Sequence, residues 1–238
     1  MNIVKQFLSE LEELKQEERI PGAMRFFKTG PGQYGEGDLF WGISVPEQRT
    51  QSGKYYQKID LNQYPELLKH PVHEVRLCAL MMLVCRYKAS GTGKEEIVDV
   101  YRAHFDYVNN WDLVDSSAAQ ILGEWLWKKD HQELKELAQS GHLWRQRIAI
   151  IATHAFIRRG YFTTTLELSE MLLNHPHDLI HKAVGWTLRE VGNCDFETEY
   201  VFLKQHYQKM PRTMLRYAIE KFDESLRQDF LKGRIKAK

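Results

Sequence analysis

Apolar residues recur at helical spacing along almost the whole chain. Ile3, Val4, Phe7, Leu8, Leu11 and Leu14 fall at intervals of three and four, as do Val75, Cys78, Ala79, Met82 and Leu83. No clean alternation of apolar and polar residues runs for five positions, so strands are not expected. The prolines agree with this reading: Pro46, Pro65, Pro71, Pro176 and Pro211 stand at or just before predicted helix starts, where a missing N–H costs no hydrogen bond. The pattern predicts an all-α chain whose helices are joined by short turns.

A repeat organises those helices. Lys69-His70-Pro71-Val72-His73-Glu74-Val75-Arg76 and Asn174-His175-Pro176-His177-Asp178-Leu179-Ile180-His181 share a turn-then-helix outline. Within it an apolar residue precedes a polar one, and a small residue follows two positions later. The register recurs at Val75-Arg76-Leu77-Cys78, Val114-Asp115-Ser116-Ser117, Gln146-Arg147-Ile148-Ala149, Ile180-His181-Lys182-Ala183 and Leu215-Arg216-Tyr217-Ala218. Its polar positions are 39, 32, 34 and 35 residues apart, the period of two-helix repeats that stack into a solenoid. The fold class expected is therefore an α-α superhelix over 1–238 as one repeat domain. Small residues let neighbouring helices approach, and the polar position is expected to line a concave face.

Composition narrows the function. In 238 residues, 33 Lys and Arg against 32 Asp and Glu exclude a dominant basic arm or acidic tail. The distribution is uneven: Gly141 to Lys238 holds 16 basic and 11 acidic residues, so this half is the better match to a polyanion. Positions 227–238 form a basic tail. Cys78, Cys85 and Cys194 cannot all pair and show no C-x-x-C spacing, which argues against a disulfide framework or a structural zinc site. With neither a signal peptide nor a long apolar run, a soluble cytoplasmic protein without membrane association is expected.

The segment 29–38, TGPGQYGEGD, holds four of the fifteen glycines and is expected to be a surface loop. Its G-x-G-x-x-G at Gly30, Gly32 and Gly35 follows a helix, without the βαβ context a dinucleotide site needs. His177 and His181 are one turn apart, but no third ligand follows at metal spacing.

The polar register carries the chemistry. Arg76, Arg147, His181 and Arg216 are cations, or become so on protonation, around a single carboxylate, Asp115. A row of cations suits the phosphates of DNA. The carboxylate is explained either by a salt bridge or helix cap, or by catalysis. Trp111, one turn before Asp115, and Trp186, five residues after His181, supply aromatic faces for a flat, cationic or sugar-like group. Trp125, Trp127 and Trp144 are expected in the core.

Several stretches together give a specific resemblance: Arg25-Phe26-Phe27-Lys28, Gly42-Ile43-Ser44-Val45-Pro46-Glu47-Gln48-Arg49, Asn110-Trp111-Asp112-Leu113-Val114-Asp115, Trp144-Arg145-Gln146-Arg147 and Lys182-Ala183-Val184-Gly185-Trp186-Thr187-Leu188-Arg189-Glu190. From about Pro21 to Phe222 the chain resembles the DNA alkylation repair family of AlkD-like alkylpurine DNA glycosylases, built from HEAT-like repeats. The resemblance implies a catalytic carboxylate at Asp115, deoxyribose contacts from Trp111 and Trp186, and a backbone contact from Arg147. Some relatives present a tyrosine near the lesion where this chain has Phe26, so that position offers no hydrogen bond, and the glycine-rich loop is longer than theirs.

The expected activity is hydrolysis of the N-glycosidic bond of cationic N3- or N7-alkylpurines in double-stranded DNA. It would be carried out by a monomer without metal or organic cofactor. The alternative is a helical-repeat protein that binds DNA or a protein partner without catalysis.

Overall fold

A computed structural model describes residues 2–235, and every regular element among them is helical; a lone bridge joins Leu39 and Val72. Among these residues no helix is long and apolar enough to cross a membrane. The chain divides into two compact units, Met1–Ile121 and Leu122–Lys238. Each contains a 17-residue helix, His73–Ala89 in the first and Asp178–Cys194 in the second.

Local sequence explains where the helices of the first unit begin. The Asn2 side chain accepts from Val4 N–H at 2.9 Å to cap Ile3–Glu12, whose Val4, Phe7 and Leu11 are buried. Phe7 meets the Tyr55 ring edge-on at 5.3 Å. Val45–Tyr55 starts at Ser44, whose N–H donates to Glu47 at 3.0 Å, with Pro46 in the first turn. His73–Ala89 is buried on nearly every side from His73 to Leu80, as befits a helix with apolar residues all round. Buried Glu74 in its first turn accepts from the N–H groups of Trp41, Gly42 and Ile43, which no strand partner satisfies. Gly42 is required here: its φ is +76°, and a Cβ would collide with the Gln16 carbonyl.

In the second unit Asp178–Cys194 packs against Leu143–Ala152, Phe196–His206 and Arg212–Ala218. Gly185 allows the close approach of Arg212–Ala218, since a Cβ there would strike the Met214 carbonyl and the Tyr217 side chain. The small residues of the repeat behave as expected: Cys78, Ser117, Ala149, Ala183 and Ala218 are all fully buried.

The His-Pro turns that open the two long helices are built alike. His70 Nδ1 accepts from Val72 N–H at 3.1 Å, and His175 Nδ1 accepts from His177 N–H at 3.0 Å. Six residues on, Arg76 Nη1 donates to the His70 carbonyl at 2.8 Å, while His181 Nε2 donates to the His175 carbonyl at 2.5 Å. In these two repeats the polar register residue, Arg76 or His181, folds back to clamp the turn before its own helix.

Three expectations need amendment. Segment 29–38 is a surface loop over most of its length, yet Gly35 and Asp38 are buried, because Asp38 is drawn inward by charged partners described below. Trp144 lies in the core, whereas Trp125 and Trp127 are half-buried under the cations of Lys129 and Arg159. Of the 227–238 tail, Lys236 and Lys238 lie outside the described residues; Arg227 and Arg234 pair with Glu224 and Asp229.

Candidate functional site

The Trp111–Asp115 helix is five residues long, too short to hold itself together without tertiary support. Asn110 caps it by accepting from Trp111 N–H at 2.9 Å, and Leu113 and Val114 anchor it in the core. Ser117 Oγ donates to the Leu113 carbonyl at 2.6 Å and accepts from the Tyr101 hydroxyl at 2.9 Å. Burial, with the charge of Asp115 adding to it, pushes the Tyr101 phenol up, so it stays a neutral donor. Trp111 and Asp115, one turn apart on one face, are both half-buried.

Asp112 has a different setting. Its Oδ2 accepts from His73 Nε2 at 2.8 Å, and His73 Nδ1 donates at 3.1 Å to Asp38 Oδ2. Asp38 Oδ1 in turn accepts from Arg76 Nη2 at 2.6 Å. Burial opposes charge on His73, but the charge of Asp112 and the hydrogen bonds to Asp112 and Asp38 outweigh it, against Arg76, and raise its pKa to about 9. Burial likewise works against ionised Asp38, whose carboxyl the His73 hydrogen bond and the Arg76 charge hold below its usual range. Two carboxylates, an imidazolium and a guanidinium leave this group neutral.

An aromatic cluster covers it. Phe27 and Phe40 lie 4.7 Å and 4.8 Å from the His73 ring, and Phe27 also stacks on Trp111 at 5.5 Å. Phe26, 61% exposed, stands edge-on to Trp111 at 5.5 Å. A cavity of about 380 Å³ opens beside these rings, lined among others by Phe26, Phe27, Phe40, Gln48, His73 and Asp112.

The second unit holds the other expected residues. Trp186 is half-buried, donates from Nε1 to Glu190 at 2.9 Å and meets the His154 ring edge-on at 4.6 Å. His154 bonds Thr187 Oγ1 at 2.9 Å. Burial, aided by the charges of Arg158, Arg147 and Arg189, depresses its pKa to about 3, so its ring is neutral. The G-W-x-L-R-E run now reads physically: Gly185 for helix approach, Trp186 at the surface, Leu188 in the core, Arg189 paired with Glu220, Glu190 on the indole.

The expected row of solvent-facing cations is interrupted. Arg76 is 4% exposed and spends its guanidinium on Asp38, Asn109 and the carbonyls of His70 and Pro71, which corrects its expected phosphate contact. Arg147 is 5% exposed and donates from Nη1 to the Leu179 carbonyl at 2.6 Å. His181 is half-buried and Arg216 exposed. His73, Asp38, Phe27 and Phe40 were not singled out by the sequence; the signal for His73 was its place at the start of the first long helix.

The family model "DNA alkylation repair enzyme" matches residues 7–222, and the chain belongs to that family. Among solved structures, it is similar to a predicted DNA alkylation repair enzyme from Enterococcus faecalis. The two share 17% identity with a TM-score of 0.69 over 88% of this chain and 97% of that one, a likeness of fold. A comparison with curated proteins finds no match.

Proposed function

We propose that the protein is a monofunctional DNA glycosylase that releases cationic N3- or N7-alkylpurines from double-stranded DNA, acting as a monomer. The observation that carries the reading is the placement of Asp115, half-buried one helical turn from Trp111 and on the same face.

The chemistry suits one carboxylate. Glycosidic hydrolysis ordinarily needs an acid for the leaving group and a group that stabilises the oxocarbenium-like sugar. A purine alkylated at N3 or N7 already carries positive charge and leaves without prior protonation. Asp115 about 4 Å from the developing cation would contribute up to roughly 4 kcal/mol at an effective dielectric near 20, and would orient the attacking water. Trp111 would face the deoxyribose, adding about 0.5–2 kcal/mol of cation–π attraction. Phe26 would border the lesion without offering a hydrogen bond, and exposed Arg216 would meet phosphate.

The test is incubation of the purified protein with duplex DNA containing 7-methylguanine. Release of the free base supports the glycosylase. Tight binding without release would instead favour a DNA-binding repair protein that lacks catalysis.

A further inference from the structure

We propose that His73 is a positioning residue for the chemistry assigned to Asp115: by donating to Asp38 and Asp112 together, it fixes the rotation of the Trp111–Asp115 helix and so the placement of Trp111 and Asp115. The inference rests on the glycosylase reading and names a group that does not touch the substrate.

Burial of Leu113 and Val114 sets the depth of the short helix, Asn110 holds its start and Ser117 bonds the Leu113 carbonyl. The bond from His73 to Asp112 reaches it from the side and opposes rotation about its axis. His73 reaches the site by a second route, because its ring lies against Phe27, which stacks on Trp111. His73 is itself immobilised, 1% exposed between Phe27 and Phe40, whose faces favour a cation.

The tether depends on charge. Only the imidazolium donates from both nitrogens, and a neutral ring must release either Asp38 or Asp112. The charged groups around it are Asp38 from the loop, Asp112 from the short helix and Arg76 from its own helix; the remaining faces are the rings of Phe27 and Phe40. With its pKa raised to about 9, His73 holds both carboxylates at neutral pH and lets one go in alkali. Misplacement of a catalytic group by about 1 Å costs on the order of 100-fold in rate.

The experiment measures release of 7-methylguanine by the wild type and by His73→Gln, whose amide donates through one nitrogen only, over a pH series. The imidazole nitrogens and the Trp111 indole are followed by NMR in the same samples. The expected result is a fall in kcat of about tenfold or more with KM and DNA affinity little changed. The wild type should also show an alkaline limb near pH 9 that tracks His73 deprotonation and a shift of the Trp111 resonance, and the variant should lack that limb.

A folded variant with wild-type kcat, or one that keeps the alkaline limb, would overturn the proposal. If the variant does not fold, the wild-type titration decides: a rate that stays constant while His73 loses its proton would equally overturn it. Wild-type protein that binds DNA and releases no base overturns the glycosylase reading, whereas active wild type indifferent to His73 overturns this inference alone.

Discussion

Asp112 and Asp115 lie three residues apart on one short helix, and their environments predict different consequences of the same substitution. Asp115→Asn should lower excision by about 10- to 100-fold, the effect of losing two or three kcal/mol of transition-state stabilisation. DNA binding should persist, since removing a negative charge cannot weaken attraction to phosphate. Asp112→Asn should in addition weaken the fold by about 1–3 kcal/mol, because the charged acceptor of His73 is lost; urea unfolding reads this directly. Trp111, Asp115 and Trp186 could be picked out of the sequence by residue type, two indoles and a lone acid in the polar register. His73 was not, because its partners Asp38 and Asp112 lie 35 and 39 residues away, and a buried ion network exists only once the chain has folded.

At the scale of helices, the repeat was legible in its small positions and misleading in its polar ones. Periodicity shows which face a residue occupies, and Cys78, Ser117, Ala149, Ala183 and Ala218 are buried accordingly. It does not show whether a long side chain on that face extends outward or folds back. Arg76 and His181 fold back onto the turns before their helices, using the side chains the sequence pattern had assigned to phosphate. Arg147→Ala should therefore lower stability by about 1–3 kcal/mol through the lost bond to the Leu179 carbonyl. Arg216→Ala should leave stability near wild type and reduce the salt slope of DNA binding by about one unit. Binding titrations across salt concentration, set beside unfolding curves, separate the two. Gly185→Ala should cost about 1–3 kcal/mol by forcing apart the Asp178–Cys194 and Arg212–Ala218 helices, measured as a lower unfolding midpoint.

For the whole molecule, His73 and His154, both buried, act on opposite sides of neutrality. His73 has a folded pKa raised to about 9, so its contribution is complete below its unfolded value near 6.5 and is lost as pH rises through about 9. His154 is depressed to about 3, so its contribution is complete above about 6.5 and declines as pH falls toward 3. Asp38, held low, adds to the loss in acid. Stability measured by urea unfolding should therefore peak near neutral pH and decline on both sides; a flat profile between pH 6.5 and 9.5 would remove the charge from His73. The central claim is that one carboxylate suffices because the leaving base is already cationic. It is tested most directly by following base release from matched duplexes carrying 7-methylguanine or uracil, with wild-type protein and Asp115→Asn. The account predicts release of 7-methylguanine that depends on Asp115, with uracil left in place. Efficient uracil release abolished by Asp115→Asn would contradict it, because expelling a neutral base needs a general acid or strong contacts to the base beyond one carboxylate.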